Sequence, residues 1–241
     1  MFEIPFEHQV IKQTVIAFGA IFENLRILRK KEDGSVGGTI AVPITYGPKE
    51  KVLVRLNQDA NFDNQVLVTL PRMAFEITSY SYDTQRVQNR NQKITCQKND
   101  GTTLGVYTPV PYNLGISLFL LAKGTQDTLN VIEQILPVFA PEYTATIKSI
   151  PDMNITQDVP FILNNVSTSD DYEGDFATRR LVTTQFDFTA KINLYGPYGN
   201  AGRLITRTDT NVNDNIVTPQ NYAKHVATGN VTTGAVTDFW E

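Results

Sequence analysis

One cysteine, two histidines and one tryptophan occur in 241 residues. A single Cys96 excludes an intramolecular disulfide and a cysteine zinc cluster, a usage that suits an intracellular assembly compartment. Charged residues make up only 19% of the chain, and the net charge of −4 comes from both signs scattered along it. Without a long basic run, the surface is not built to coat nucleic acid. No run approaches the roughly 18 apolar residues that a membrane helix needs. The opening MFEIPFEHQV carries Glu3 and Glu7 and no basic segment ahead of an apolar one, so no signal peptide is expected. The chain reads as soluble and globular, long enough to bury a full core in one large β-rich domain or two small ones.

Catalytic signatures are equally scarce. There is no G-x-S-x-G elbow and no Walker A loop. His8, three residues before Ile11, reads as a boundary histidine on the apolar side of a helix, and His225 has no acidic or cysteine partner at ligand spacing. No catalytic residue, cofactor or metal is predicted, and the chain reads as not an enzyme.

What is present is strand periodicity. In VTTQFDFTAKINL, Val182, Thr184, Phe186, Phe188, Ala190, Ile192 and Leu194 alternate with polar residues, so one face is apolar and the other wet. Such a strand belongs to an antiparallel sheet rather than a parallel one buried on both faces. Ile40, Val42, Ile44 and Tyr46 alternate likewise, and Pro43, which cannot donate to a ladder, places that strand at an edge or at a bulge. Met73, Phe75 and Ile77 form a third strand whose pattern slips at Ser79 to Tyr80 and Tyr82. Leu114, Ile116, Leu118, Leu120 and Ala122 share a face, as do Tyr143, Ala145 and Ile147 in a shorter strand. GSVGG at 34–38 reads as a hairpin turn.

Two stretches keep helical spacing instead. Ile11, Val15, Phe18, Phe22 and Leu25 form one stripe, and Leu129, Ile132, Leu136 and Phe139 another, with Thr125 as N-cap and Asp127 in the first turn. Pro137 and Pro141 bracket its end. The predicted class is α+β, a mostly antiparallel sheet with two flanking helices. A core domain over 1–196 gives way to residues 197–241, rich in Asn, Thr and Gly and without steady period. These form either a frayed tail or an extended C-terminal arm that orders against a neighbouring chain, anchored by Phe239 and Trp240.

The densest charge lies in DDYEGDFATRR, residues 170–180. Read as a calcium loop around Gly174, it puts Ser169 at the first ligand position and Arg180 where a bidentate glutamate belongs, which breaks the scheme. As an acid pair it lacks an apolar pocket to separate two pKa values. Two readings remain: a solvated turn, or a charged contact to another subunit with Asp170, Asp171, Glu173 and Asp175 accepting and Arg179 and Arg180 donating.

Five stretches in order, VPITYGPKE (42–50), LPRM (70–73), VIEQILPVFAPEY (131–143), D-Y-E-G-D-x-x-x-R-R (171–180) and LITRTDT (204–210), resemble the tail sheath stabilisation and completion proteins, or tail terminators, of contractile-tailed bacteriophages. The likeness covers most of residues 7–210; beyond Thr210 no motif matches. It implies a tail-terminator-like sheet flanked by helices and assembled as a homo-hexameric ring at the head-proximal end of the virion tail, built in the host cytoplasm. Implied partners are the tail sheath protein, the tail tube protein and the neck (head-completion) proteins. Genomic DNA would pass through the lumen without sequence-specific binding, which the negative balance suits, and no membrane is involved.

Under that resemblance Asp171, Glu173, Gly174, Asp175, Arg179 and Arg180 match the family run, and the charged stretch becomes a subunit or sheath contact. The edge strand around Pro43 and Tyr46 is a second contact candidate. Other readings are a neck or head–tail connector ring subunit, a β-rich carbohydrate-binding module using Tyr80, Tyr82, Tyr107 and Tyr112, and an enzyme without recognisable signature.

Overall fold

The structure is a computed structural model that describes residues 5–30, 36–51, 70–98, 102–140, 142–172, 180–203, 207–213, 221–229 and 236–240. In chain order its elements are α1 (Val10–Phe22), β1 (Arg26–Lys30), β2 (Val36–Ala41), β3 (Ile44–Tyr46), β4 (Arg72–Tyr82), β5 (Lys93–Gln97), β6 (Thr102–Tyr107) and β7 (Val110–Ala122). There follow α2 (Thr125–Ile135), β8 (Glu142–Ile150), β9 (Ile155–Tyr172), β10 (Arg180–Leu194), β11 (Gly199–Arg203), β12 (Arg207–Asn213), β13 (Asn221–Gly229) and β14 (Val236–Trp240). They divide into two compact units, one of residues 7–87 and 110–194, the other of 1–6, 88–109 and 195–241.

The first unit is built on a six-stranded sheet in the order β3-β4-β7-β10-β9-β8. Among the described pairings every one is antiparallel except β3 with β4. The α+β class therefore holds, with a sheet that is mixed at one edge. Alternation in β10 translates directly into burial: Val182, Thr184, Phe186, Phe188, Ala190 and Ile192 all turn inward. Leu114, Ile116, Leu118 and Leu120 of β7 lie beside them on the same buried face.

Phe18 of α1 seals that face. Its ring stands between 5.1 and 5.4 Å from the rings of Phe22, Phe75, Phe161 and Phe188, in tilted or edge-on geometry. Burying each phenylalanine contributes about 1.5–3 kcal/mol. The buried stripe of α1 is Val10, Thr14, Phe18 and Phe22, a strict four-residue repeat. Thr14 fits this apolar row because its hydroxyl donates to the carbonyl of Val10 at 2.8 Å. His8 precedes the helix rather than lying on it, and Leu25 follows it, passing its carbonyl to the N–H of Val42 at 3.0 Å.

Four sequence expectations change in phase or extent. In α2 the buried residues are Asp127, Thr128, Val131 and Ile135; of the expected stripe, Phe139 is buried and Ile132 packs against the core, while Leu129 and Leu136 are 51% and 42% exposed. A carboxylate can occupy the inward stripe because Arg29 of β1 donates to Asp127 Oδ2 at 2.7 Å. Thr125 is the first helical residue, and the cap position is Gly124. The single strand expected over Ile40–Tyr46 is two, broken at Val42–Pro43: β2 pairs with β1, and β3 turns to the large sheet. Of the GSVGG stretch expected as a turn, Val36, Gly37 and Gly38 belong to β2, and Gly34 and Ser35 lie outside the described residues.

Strand β9 has no counterpart in the periodicity reading. Gln157, Val159, Phe161 and the partly buried Leu163 alternate inward, with Pro160 between two of them, until the bulge at Asn164 shifts the phase to Val166. That proline is accommodated where the β10 ladder has not begun, since Phe161 opposite Ala190 is its last pair. Beyond that pair the Gln157 amide takes over. It donates to the Asn193 carbonyl at 3.0 Å and to Ser149 Oγ at 3.2 Å, and accepts from the Asn193 N–H at 2.9 Å. A buried side chain thus satisfies backbone groups that no strand reaches.

The second unit holds two three-stranded sheets, β11-β6-β5 and β12-β13-β14. In the latter, His225 pairs in register with Trp240 and Val226 with Phe239. Val226 is buried. The C-terminal residues, which show no steady period, thus include four strands; β11 pairs with β6 from the middle of the chain.

Candidate assembly surfaces

The charged stretch links β9 to β10. Asp170, Asp171 and Tyr172 are still in the ladder, opposite Val182, Leu181 and Arg180. It is therefore not one short turn: its first residues end one strand and Arg180 opens the next. Asp170 is exposed. Glu173, Gly174, Asp175 and Arg179 lie outside the described residues.

Pro43 precedes β3 and Tyr46 ends it; β3 is the terminal strand of the sheet. The Pro43 carbonyl accepts from the Met73 N–H at 2.8 Å, so the proline starts the parallel pairing rather than interrupting it. Tyr46 is 59% exposed, with its ring edge-on to Phe75 at 5.4 Å.

Register links these two regions. Ile44, Met73, Leu120, Thr184 and Thr168 form one row across five strands. β9 ends four residues beyond Thr168, so both charged stretch and proline edge lie toward the same end of the sheet, separated by β4, β7 and β10. Phe239 and Trp240 lie on β14 in the other unit.

The polar groups on the large sheet bind one another. Asp187 accepts from Ser117 Oγ at 2.7 Å and from Gln185 Nε2 at 2.8 Å. This cluster ties β7 to β10 through side chains as well as through the ladder. At the far end of β4, Asp83 accepts from Arg86 Nε at 2.8 Å and from the Gln85 N–H at 3.0 Å. Arg86 also reaches the Tyr112 carbonyl and Asn113 Oδ1, both at 3.2 Å, tying the turn after β4 to β7. The Arg86 hydrogen bond is the main reason the Asp83 carboxyl is held below its ordinary range. Among the described residues, no group of three His, Cys, Asp or Glu is placed to hold a metal ion. Of the tyrosines weighed as a sugar platform, Tyr82 and Tyr112 are cross-strand partners packed edge-on at 5.8 Å, and Tyr107 belongs to the other unit, where Lys93 lies 4.7 Å over its ring.

A family described as the T4-like virus Myoviridae tail sheath stabiliser matches residues 5–241. The chain belongs to that family. The match runs well past Thr210, where the recognisable motifs end, and takes in the strands of the second unit. The chain is also 26% identical over 217 residues to the tail completion protein gp15 of Enterobacteria phage T4, across 87% of this chain and 79% of that protein. Membership makes this a structural protein of the phage tail, carried by an α+β scaffold.

Proposed function

We propose that six copies of the chain form a ring that ends the tail tube and the last sheath disc, holds the sheath extended, and joins the head-proximal end of the tail to the neck. The observation that carries this reading is the family match over almost the entire chain, supported by likeness to a tail completion protein over most of both lengths. A tail is an open helical assembly in which each disc creates the surface for the next. A closed ring that matches the last disc on one face only ends that growth. Six copies also sum weak contacts through effective concentration. Genomic DNA passes through the lumen, and the net negative chain favours sliding over adhesion.

In this reading the contacts to sheath or neighbouring subunits are made by the charged hairpin (Asp170, Asp171, Glu173, Asp175, Arg179 and Arg180), by the β3 edge (Pro43 and Tyr46) and by Phe239 and Trp240. Residues 1–196 serve as the ring-forming core and 197–241 as the segment that engages a neighbour. Negative-stain microscopy of the protein alone and with extended sheath and tube tests the proposal. Six-fold rings, or one cap at one tail end, are expected; a monomer that ignores tails in every condition refutes it.

A further inference from the structure

Among the described residues, the large sheet is not closed off at its sides. β8 pairs with β9 only as far as Glu142 opposite Ile162, and β9 continues for ten more residues to Tyr172. On the other side, β3 pairs only with Met73 to Phe75 of β4, and Gly47 extends the contact by one bond to the Phe75 carbonyl at 2.9 Å. Among the described residues, no strand pairs with the outer side of 163–169 in β9 or of 77–82 in β4. Asn164, Asn165, Ser167, Thr168 and Ser169 are exposed, as are all residues from Thr78 to Tyr82.

Exposed edges of this kind normally carry lysine, proline or inward charge that prevents another strand from adding. Neither edge does. LNNVSTS (163–169) and ITSYSY (77–82) contain no charged residue and no proline. A bulge marks the start of each, at Asn164 and at Thr78, and regular strand follows. Serine, threonine, asparagine and tyrosine there leave the main chain as the principal source of affinity, as in strand addition.

We infer that neighbouring copies of this chain join by main-chain pairing of the open β9 edge of one to the open β4 edge of the next. The inference rests on the ring reading above. A second copy is the occupant because one chain carries both halves of the contact, on opposite sides of one sheet; a foreign strand would need only one. β4 and β9 are three antiparallel steps apart, so they run in opposite directions and the join is antiparallel. The contact is head-to-tail, which generates a ring when its rotation closes. The edges also lie at diagonal corners: Ser169 shares a row with Thr183, Leu121 and Arg72, whereas Tyr82 shares one with Tyr112 and Ile192 at the other end. Joining such corners staggers successive sheets, the offset that closure of a sheet requires.

Two edge-blocked variants test this. Ser167→Lys with Ser169→Lys blocks β9, and Tyr80→Lys with Ser81→Lys blocks β4; each is checked for wild-type melting and then sized by sedimentation velocity beside the wild type. Each variant alone should be monomeric, and an equimolar mixture should stop at dimers, since only one good pair of edges remains. In wild-type rings, amide exchange in 165–169 and 79–82 should slow by at least about tenfold relative to the free subunit. Variants that build normal rings, a mixture that stays monomeric, or wild-type rings in which both segments exchange at the free rate would overturn edge pairing and leave the ring intact. Wild-type protein that forms no ring even on extended tails would overturn the ring reading and this inference together.

Discussion

Gly115 of β7 faces Ser79 of β4 at the point where the ladder between them gains an extra residue, Thr78. A Cβ at Gly115 would overlap Ser79 Oγ and stand 3.1 Å from Thr78 Oγ1. The slip in the β4 pattern is legible in sequence, but the glycine that permits it is on another strand.

Gly115→Ala should therefore destabilise the protein by about 1–3 kcal/mol through overpacking. Pairing it with Ser79→Ala should recover part of the loss, because it removes the overlap with Ser79 Oγ and leaves Thr78 Oγ1 at 3.1 Å and the residue-79 Cβ at 3.5 Å. Urea denaturation of the two variants measures both. A single mutant as stable as wild type would mean the bulge relaxes freely.

Phe18 touches four other aromatic rings from a fully buried position. Phe18→Ala should cost about 3–5 kcal/mol, and Phe18→Leu clearly less, because leucine refills part of the cavity. A thermal melt that moves little with alanine would show that α1 is not what seals the sheet.

Arg29 is half-exposed, yet its partner Asp127 is buried; Arg29 binds Oδ2, and Oδ1 has no hydrogen bond among the described residues. Arg29→Ala should cost about 1.5–3 kcal/mol, more than an exposed pair, because it strands a carboxylate. Adding Asp127→Asn should lessen the cost of Arg29→Ala. A double-mutant cycle on chemical denaturation reads the coupling; additive effects would mean the pair is inert.

In α2 the phase itself is testable. Leu129→Ser should change stability by less than about 0.5 kcal/mol, whereas Val131→Ala, one position from Asn130 but fully buried, should cost about 1–3 kcal/mol. The opposite ranking would restore the stripe suggested by hydrophobicity alone.

Asp83 has a folded pKa below the ordinary 3.8, chiefly because Arg86 donates to it. A depressed carboxyl adds stability that is full above the unfolded pKa and disappears as pH falls through the lower folded value. The melting-temperature gap between wild type and Asp83→Asn should thus be steady near neutral pH and shrink across the acid range below that ordinary value. A gap that widens on acidification would reverse the assignment.

Much of the fold is written in local pattern. The two-residue alternation of Val182–Leu194 and of Leu114–Ala122 determines which face each strand buries, because a pleated strand sends successive side chains to opposite sides. Pro43 marks the chain's departure from one sheet to the edge of another, and the five short motifs place the chain among tail sheath stabilisers. Tertiary contact decided the rest. Arg29 neutralises Asp127, so a carboxylate stands among the buried residues of α2 while Leu129 stays exposed. Gln157 replaces a missing strand for Asn193, and Pro160 stands in β9 just beyond the last β10 pair. Where β8 and β3 stop, leaving two edges open, is likewise invisible in any single segment. Pairing is set by partners far away in the chain, and only their register shows which backbone groups remain unspent.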